Sequence, residues 1–332
     1  MVELRFVTLD VFTTQRFRGN PLAIVYVPPT NELSQDQKQT IAKEFNLSET
    51  VFVHLSRSDW DDNSNADGEC SDVSIDIFTP DNELPFAGHP TVGTSYHLLS
   101  KTGKHSTINI VTKAGRIPAR FDPDTNRVRL EVPHAITIHA EIANVQVSQI
   151  LGLPLFGSGI PNELEGNHAP LVSIVKGLAF ILVRVASLRV LASLENTHFK
   201  LDTKSLAADD LTSDTFIGVY VYYIQEEESE RTKIRTRMFS GDREDPATGS
   251  AASCLCAYLS IVAAKGDGKP SFQATPKKYE ITQGVEMGRR NDISVEVLLK
   301  STAGEHGEEG ASVDKIWLGG SAVEVMRGTI DI

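Results

Sequence analysis

Two short segments, each a glycine followed by a polar residue, are candidates for binding chemistry. Gly88-His89 and Gly249-Ser250 each come directly before a run without charged residues, Pro90–Leu99 and Ala251–Ala264. Because proline favours the first position of a helix, we expect helices that start here with His89 and Ser250 as N-caps. Unpaired N–H groups and a positive partial charge make such a terminus an anion site. The pattern predicts either two sites for a small acid or two ordinary capped core helices.

The two segments belong to an internal repeat. Phe78-Thr-Pro-Asp-Asn-Glu-Leu-Pro-Phe-Ala-Gly-His-Pro aligns without a gap on Phe239-Ser-Gly-Asp-Arg-Glu-Asp-Pro-Ala-Thr-Gly-Ser-Ala, identical at five of thirteen positions, at an offset of 161 residues. A β-rich run precedes each copy. A helix that is apolar all round is buried all round, so we expect a small-residue helix wrapped by a curved sheet in each half. A cleft between the two halves would hold the ligand.

Other catalytic patterns do not fit this sequence. Cys254 and Cys256 are two residues apart, so they neither form C-x-x-C nor share a helical face. The nine histidines show no H-E-x-x-H or zinc-ligand spacing, and Gly249-Ser250 is not part of a G-x-S-x-G elbow. Gly157-Ser-Gly159 lacks the third glycine of a dinucleotide fingerprint. These spacings therefore give no indication of a zinc site or of a dinucleotide cofactor.

The elements that must position these segments are mostly short strands, so the sequence predicts an α+β fold with far more strand than helix. Pro133 marks the expected domain boundary, giving an N-terminal half over 1–132, with the C-terminal strand 322–332 as a candidate addition, and a C-terminal half over 133–321. Polar loops are expected at Ser56–Asp72 and Lys300–Ala311. Helices are expected at Ser34–Phe45, where Ser34 and Gln37 have the capping-box spacing, and at Ser187–Glu195. The expected strands are Leu4–Phe12, Leu22–Val27, Glu49–Leu55, Val73–Thr79, Thr107–Thr112, Gly115–Asp122, Arg127–Val132, Leu171–Val175, Phe180–Val185, Ile217–Gln225, Lys233–Phe239, Tyr279–Thr282, Ile293–Leu299, Lys315–Leu318 and Ala322–Ile330.

Composition limits the class of protein. The chain has 332 residues, 40% of them hydrophobic and 23% charged, which is typical of a globular protein of about two domains. A formal net charge of −12 argues against nucleic-acid and anionic-membrane partners. Three cysteines favour a reducing compartment, and neither a signal peptide nor a membrane span is evident. The sequence thus predicts a cytoplasmic protein, with a homodimer expected from the general frequency of such assemblies.

Several motifs together resemble the PhzF family of phenazine biosynthesis, which has the diaminopimelate-epimerase-like fold. They are Asp10-Val-Phe-Thr, Phe17-Arg-Gly-Asn-Pro, Asn46-Leu-Ser-Glu-Thr-Val-Phe, Phe78-Thr-Pro, Glu83-Leu-Pro-Phe-Ala-Gly-His-Pro-Thr, Glu244-Asp-Pro-Ala-Thr-Gly-Ser-Ala and Gln283-Gly-Val-Glu-Met-Gly-Arg. The resemblance implies two pseudo-symmetric domains, each a strand-rich barrel around a central helix, with the active site between them. It also implies cofactor-independent isomerisation of a small, cyclic or unsaturated carboxylic acid, and a homodimer.

The resemblance assigns roles to individual residues. Glu49 corresponds to the family's proton-transfer glutamate, His89 and Asp245 to its further acid and base groups, and Gly88, Gly249 and Ser250 to its substrate-binding pairs. Asn20 is a further binding candidate, since its motif lies near the cleft in the family.

Each of these residues has both a chemical and a purely structural interpretation. A carboxylate in an apolar cleft has a raised pKa, so Glu49 is expected to take up and return a proton. The alternatives are a surface carboxylate at Glu49, a helix cap at His89, and turn residues at Asp245 and Asn20. A descendant that binds a metabolite or partner without turnover is the alternative to an isomerase.

Overall fold

The computed structural model describes residues 3–30, 33–54, 72–102, 106–153, 164–195, 211–212, 215–241, 243–265, 275–303 and 309–332. The chain divides into two compact units, Met1–Val132 with Leu318–Ile332, and Pro133–Trp317. The helices are α1 Gln35–Phe45, α2 Gly88–Thr102, α3 Asn144–Ile150, α4 Leu188–Ser193 and α5 Gly249–Lys265. The strands are β1 Glu3–Val11, β2 Asn20–Val27, β3 Glu49–His54, β4 Asp72–Phe78, β5 Glu83–Leu84, β6 Thr107–Thr112, β7 Gly115–Asp122, β8 Arg127–Glu131, β9 Thr137–Ala143, β10 His168–Val175, β11 Leu178–Arg184, β12 Phe216–Glu227, β13 Arg231–Ser240, β14 Arg243–Asp245, β15 Lys277–Gln283, β16 Asn291–Ala303, β17 Glu309–Gly320 and β18 Ala322–Asp331. This is the expected strand-rich α+β fold.

The first unit is a mixed sheet. Strand β1 pairs antiparallel with both β2 and β18, and β3 runs parallel to β2 after the α1 crossover. Strand β4 pairs antiparallel with β3 and β5 and parallel with β6, after which β6, β7 and β8 form the expected antiparallel meander. Helix α1 begins with the predicted capping box, in which the Ser34 hydroxyl accepts from the Gln37 N–H and the Gln37 side chain accepts from the Ser34 N–H.

Helix α2 is the central element of the first unit. It packs on β1, β2, β3, β6, β7, β8 and β18, and its residues 88–95 are all buried. Gly93 permits this close packing, because a Cβ there would lie 2.6 Å from both Leu22 Cδ2 and Val11 Cγ2. The absence of a polar stripe on this helix is thus explained by strands that surround it.

The second unit repeats the order of strand pairings. Antiparallel β10 and β11 are followed by parallel β11 and β12 with α4 in the connection, and then by antiparallel β12 and β13. Antiparallel β14, helix α5 and a parallel β15 complete the series, as β5, α2 and β6 do in the first unit. Helix α5 packs on β10, β11, β15 and β16. Its buried residues include the small side chains Ala251, Ala252, Ser253 and Ala257.

Two sequence predictions about local structure are wrong. His89 and Ser250 are not N-caps, since α2 begins at Gly88 and α5 at Gly249. The Thr91 N–H donates to the Ala87 carbonyl, and the Ala252 N–H to the Thr248 carbonyl, so each helix starts before the expected cap. Proline tolerates this shift because Pro90 still lies in the first turn, where an N–H has no intrahelical partner.

The predicted loop Lys300–Ala311 is the second error. Strand β16 continues to Ala303 and β17 begins at Glu309, so polar strand ends occupy much of this range. A polar composition does not distinguish an exposed strand from a loop when no apolar face is required. The expected loop Ser56–Asp72, apart from Asp72 in β4, and the repeat residue Asp242 lie outside the described residues.

The apolar stretch Leu171–Ala192 contributes to β10, β11 and α4. In the part of the chain that the structure describes, no helix is both long and apolar enough to cross a membrane. Residues of β10, β11 and α4, including Leu171, Ile181 and Leu191, instead form the core of the second unit.

Candidate active site

Glu49 and His89 meet in the first unit. Glu49 is the first residue of β3, and His89 is the second residue of α2, which packs on that strand. His89 Nδ1 lies 3.0 Å from Glu49 Oε2, with exposed side-chain fractions of 3% for His89 and 18% for Glu49. The fold thus brings two predicted site residues, 40 positions apart in the sequence, within hydrogen-bonding distance. Their catalytic roles stay predictions.

The charge state of Glu49 differs from the sequence expectation. Burial raises the pKa of the Glu49 carboxyl, as expected for an apolar site. The charge of His89 and the hydrogen bonds with His89 and Ser48 lower this pKa, and together they outweigh the effect of burial. The net pKa lies below the ordinary value, so the predicted raised pKa is wrong. The sequence argument included desolvation but lacked the contact with His89, which the fold supplies. Glu49 is therefore a carboxylate at neutral pH.

Asn20 extends the group of polar residues around Glu49. It is the first residue of β2, is 1% exposed, and accepts a hydrogen bond at Oδ1 from the Ser48 hydroxyl at 3.4 Å. Gly19 places it there with a φ of +68°, where a Cβ would lie 2.3 Å from the Val11 carbonyl oxygen. Turn former and site residue are therefore compatible readings of Asn20. Ser48, which sequence reasoning assigned no role, connects Asn20 with Glu49.

Asp245 lies in the second unit, at the end of β14 and just before α5. Its Oδ2 accepts a hydrogen bond from the Thr248 hydroxyl at 2.6 Å, and its Oδ1 accepts from the Ala247 N–H at 3.3 Å. These bonds fit the turn reading of Asp245. They also hold an acceptor carboxylate in a fixed orientation beside the first turn of α5.

The three remaining site candidates lie in the first turns of the two long helices. Gly88 and Gly249 are the first residues of α2 and α5 and are buried, whereas Ser250 is half-buried at the second position of α5. The first turn of each helix therefore presents the donor groups expected for anion binding, although the N-caps lie at different residues from those predicted.

Polar side chains that hold the Asp245 loop were not predicted from the sequence. Gln283 donates to the Asp245 carbonyl at 2.8 Å, and Asn291 donates to the Pro246 carbonyl at 2.7 Å. Gly284, with a φ of +74°, lies so close that a Cβ would be 2.6 Å from the Pro246 oxygen. In the sequence, the motif Gln283-Gly-Val-Glu-Met-Gly-Arg supports only the family resemblance. The amide of Gln283 and the glycine after it are the features of this motif that could have indicated contacts with the backbone of another loop.

The described residues also include two cysteines and several potential metal ligands outside the predicted site. Cys254 and Cys256 are buried and their pKa values are raised by burial, so their thiolates are disfavoured at neutral pH, while Cys70 lies outside the described residues. Across the described ranges, no group of three or more His, Cys, Asp or Glu side chains is placed to hold a metal ion. A cavity of about 480 Å³ in the second unit, lined by residues such as His134, Lys265 and Asp314, includes none of the predicted site residues.

Comparison with known proteins places these residues in context. Residues 9–328 match the model of the family described as phenazine biosynthesis-like protein, PhzC-PhzF. The chain is 30% identical over 330 residues to a trans-2,3-dihydro-3-hydroxyanthranilate isomerase of Pseudomonas chlororaphis, covering 98% of each chain. A PhzF-family crystal structure from Bacillus anthracis superposes with a TM-score of 0.72 at 22% identity over 100% of both chains. A hydroxyproline epimerase from Agrobacterium vitis gives a TM-score of 0.53 at 14% identity, over 99% of this chain and 92% of the epimerase. These likenesses show the epimerase-like fold.

Proposed function

Because the chain belongs to the phenazine biosynthesis-like PhzC-PhzF family, we propose that it is an isomerase that moves a proton on a small cyclic or unsaturated carboxylic acid. The observation that carries the proposal is the 3.0 Å contact between Glu49 and His89 at the first turn of a buried helix. A relative named trans-2,3-dihydro-3-hydroxyanthranilate isomerase supports this substrate class. The reaction proposed here requires no cofactor, because it needs only a base, an acid and donors for developing negative charge.

The proposed step begins with the ionised Glu49. Its carboxylate takes a proton from a carbon next to the conjugated system of the substrate, and the C–H electron pair moves into that system. The protonated Glu49 then returns the proton to a different carbon, so that the double bond shifts and no atom is gained or lost. The lowered pKa of Glu49 favours the return, because it makes the protonated form a stronger acid.

Negative charge that develops on the substrate needs donors. The N–H groups in the first turn of α2, with Gly88 and His89, are suited to it because of their partial positive charge. We propose that Asn20 contributes a further polar contact on the first unit. Gly249 and Ser250 are proposed to bind the same substrate, and Asp245 to accept or supply its second proton.

Proton exchange into solvent tests the proposal. The wild type and Glu49→Gln are incubated in D₂O with a panel of cyclic and unsaturated acids that includes trans-2,3-dihydro-3-hydroxyanthranilate, and deuterium incorporation is followed by NMR. We expect incorporation at a carbon with the wild type and a loss of at least about 100-fold with Glu49→Gln, the usual scale of general acid–base catalysis.

The matched control is Glu44→Gln, which changes an exposed carboxylate on α1 and should exchange at the wild-type rate. Exchange that survives in Glu49→Gln would contradict the assigned role of Glu49. Binding of an acid without exchange in any variant would favour a non-catalytic binding protein instead.

A further inference from the structure

The side chain of Gln283 is the most heavily hydrogen-bonded group near the predicted site residues of the second unit. It is the last residue of β15 and is 0% exposed. Its Nε2 donates to the Asp245 carbonyl at 2.8 Å and to the Thr248 hydroxyl oxygen at 3.2 Å. Its Oε1 accepts from the Thr248 N–H at 3.3 Å and from the Tyr220 hydroxyl at 3.1 Å. One buried amide thus contacts both ends of the Asp245–Thr248 segment.

The chemistry of these partners allows one orientation of the amide. The Asp245 carbonyl can only accept a hydrogen bond, and the Thr248 N–H can only donate one. A flipped amide would place its oxygen against the Asp245 carbonyl oxygen and its NH₂ group against the Thr248 N–H, which is costly in a buried site. The Gln283 NH₂ group therefore faces the Asp245 carbonyl and the Thr248 hydroxyl oxygen.

This orientation fixes the direction of the next hydrogen bond. Because the Thr248 hydroxyl oxygen accepts from Gln283, its single proton is directed to the Asp245 carboxylate, whose Oδ2 lies 2.6 Å away. Hydrogen bonds run in one direction, from Gln283 to Thr248 to Asp245. Such a chain stabilises the ionised form of the carboxylate and holds it in one rotamer.

We propose that Gln283 is a positioning residue that acts through Thr248 to fix the Asp245 carboxylate and the first turn of α5 for substrate binding. This inference rests on the proposed function, in which Asp245, Gly249 and Ser250 contact the substrate. Gln283 itself touches no reacting atom in this scheme. By strand order its counterpart in the first unit is Thr112, because β6 ends at Thr112 as β15 ends at Gln283. Thr112 has no side-chain amide. The device therefore belongs to the second unit.

The Asp245 titration tests the chain of hydrogen bonds without an assay of activity. The full-length protein carries ¹³C-labelled aspartate, and the Asp245 signal is assigned with Asp245→Asn. We expect Gln283→Met to raise the measured pKa of Asp245 by about half a unit or more, the scale of one weakened hydrogen bond. Thr248→Val should raise it similarly, and the double variant should add nothing further, since both changes break the same chain.

Tyr220→Phe is the matched control. It removes another hydrogen bond of the buried Gln283 amide but leaves the connection through Thr248 intact. Its Asp245 titration should therefore match that of the wild type. If Gln283→Met does not fold, the Asp245 titration of Thr248→Val is compared with that of the single variant Tyr220→Phe instead. A Tyr220→Phe shift as large as the Thr248→Val shift would overturn the directional chain, as would an unmoved Asp245 titration in Thr248→Val.

The D₂O exchange assay with trans-2,3-dihydro-3-hydroxyanthranilate adds the functional measurement. We expect Gln283→Met to lower kcat/KM by about 10-fold, a typical result of misplaced groups, while Tyr220→Phe keeps the wild-type value. Unchanged kcat/KM in Gln283→Met would overturn the positioning role even where Glu49→Gln abolishes exchange. If the wild type exchanges nothing, the proposed function fails by itself, and the Asp245 titration still decides whether Gln283 orients that carboxylate.

Discussion

His89 determines which form of Glu49 exists in the folded protein. The glutamate is largely buried, and burial alone would favour its neutral acid. The imidazole 3.0 Å away reverses this preference and makes the ionised carboxylate the stable form. A base that must accept a proton from carbon has to be ionised first, so the neighbour is as necessary to the proposed reaction as the glutamate.

Replacing His89 should therefore change the titration of Glu49. In His89→Asn the effect of burial is no longer opposed by His89, and we expect the pKa of Glu49 to rise by about one unit or more. The acid limb of the pH profile for D₂O exchange should move upward by the same amount. Carbon-13 NMR of labelled glutamate, assigned with Glu49→Gln, measures the shift directly.

The control for this experiment is another buried histidine of α2. His97 contacts Tyr26 rather than Glu49, so His97→Asn should leave the Glu49 titration in place. Equal shifts in the two variants would mean that general disturbance of α2, and not the His89 contact, controls the carboxyl.

The site could be predicted from sequence only as a set of residues. Glu49, His89 and Asn20 are identified through motifs that resemble a family, and the fold places them in one unit with Ser48 between two of them. Their electrostatics could not be predicted, because the sign of the Glu49 shift depends on a contact between residues distant in the chain. Local sequence gives burial tendencies but not partners.

The segment Gln283–Arg289 acts as a support for the start of α5. Its first residues contact the loop between β14 and α5 through the Gln283 amide and the close approach of Gly284 to the Pro246 carbonyl. Asn291 at the start of β16 adds two hydrogen bonds, to the carbonyls of Pro246 and Arg289. A tight turn therefore controls the backbone that precedes a helix N-terminus.

Two glycines of this turn differ in their surroundings, so substituting each one distinguishes the cost of a steric clash from the cost of backbone strain. Gly284 and Gly288 have φ values of +74° and +71°, but a Cβ at Gly284 would lie 2.5 Å from the Arg289 oxygen and 2.6 Å from the Pro246 oxygen, whereas nothing lies within 4 Å at Gly288. Gly288→Ala should cost about 1–2 kcal/mol of unfolding free energy, from the left-handed conformation alone. Gly284→Ala should cost about 2 kcal/mol more, since backbone atoms must move.

Urea unfolding of both variants measures this difference. Exchange in D₂O should fall further for Gly284→Ala than for Gly288→Ala under conditions where both are folded, because only the former displaces the Asp245 loop. Equal losses of stability would show that the close approach to Pro246 and Arg289 does not constrain the turn.

Helices and strands with a clear hydrophobic pattern or capping signal could be predicted well, and those without such a signal could not. Helix α1 follows its capping box, and β1 to β4 follow β-branched runs bounded by turn residues. The two-residue β5 and three-residue β14 are too short to show a period, and β9 with α3 lies in a stretch of mixed polarity after Pro133. The starts of α2 and α5 depend on backbone hydrogen bonds to Ala87 and Thr248, which composition does not specify.

The two units share an order of strand pairings but carry different chemistry. Register places Thr50 opposite Phe78 in the first unit and Val219 opposite Phe239 in the second, so the position of Glu49 corresponds to Gly218. In the same way Asp245 corresponds to Leu84, since these residues pair with Met238 and Ile77. Each unit therefore holds one carboxylate that the other lacks. That both serve a single substrate stays a prediction, as do the homodimer and the cytoplasmic location.

Stability of the folded protein in acid should depend on a partly buried ion cluster of the first unit. Asp76 on β4 accepts hydrogen bonds at Oδ2 from Lys38 Nζ at 2.5 Å and from His54 Nε2 at 2.7 Å. Burial would raise the pKa of Asp76, but the hydrogen bonds and charges of His54 and Lys38 together lower it to about 2. Since the folded pKa lies below the unfolded one, the stabilisation is complete above about pH 4 and is lost as the pH falls toward 2.

Asp76→Asn should remove this contribution. We expect a loss of about 1–2 kcal/mol in unfolding free energy near neutral pH, discounted for partial exposure, that shrinks as the pH falls from about 4 to 2. Urea unfolding across that pH range measures the difference between wild type and variant. Asp124→Asn is the control, because Asp124 is exposed in the turn between β7 and β8, where its backbone N–H, rather than its carboxylate, makes the hydrogen bond with Asp122. A difference that stays constant down to pH 2, or that Asp124→Asn reproduces, would show that the cluster of Lys38, His54 and Asp76 does not govern acid stability.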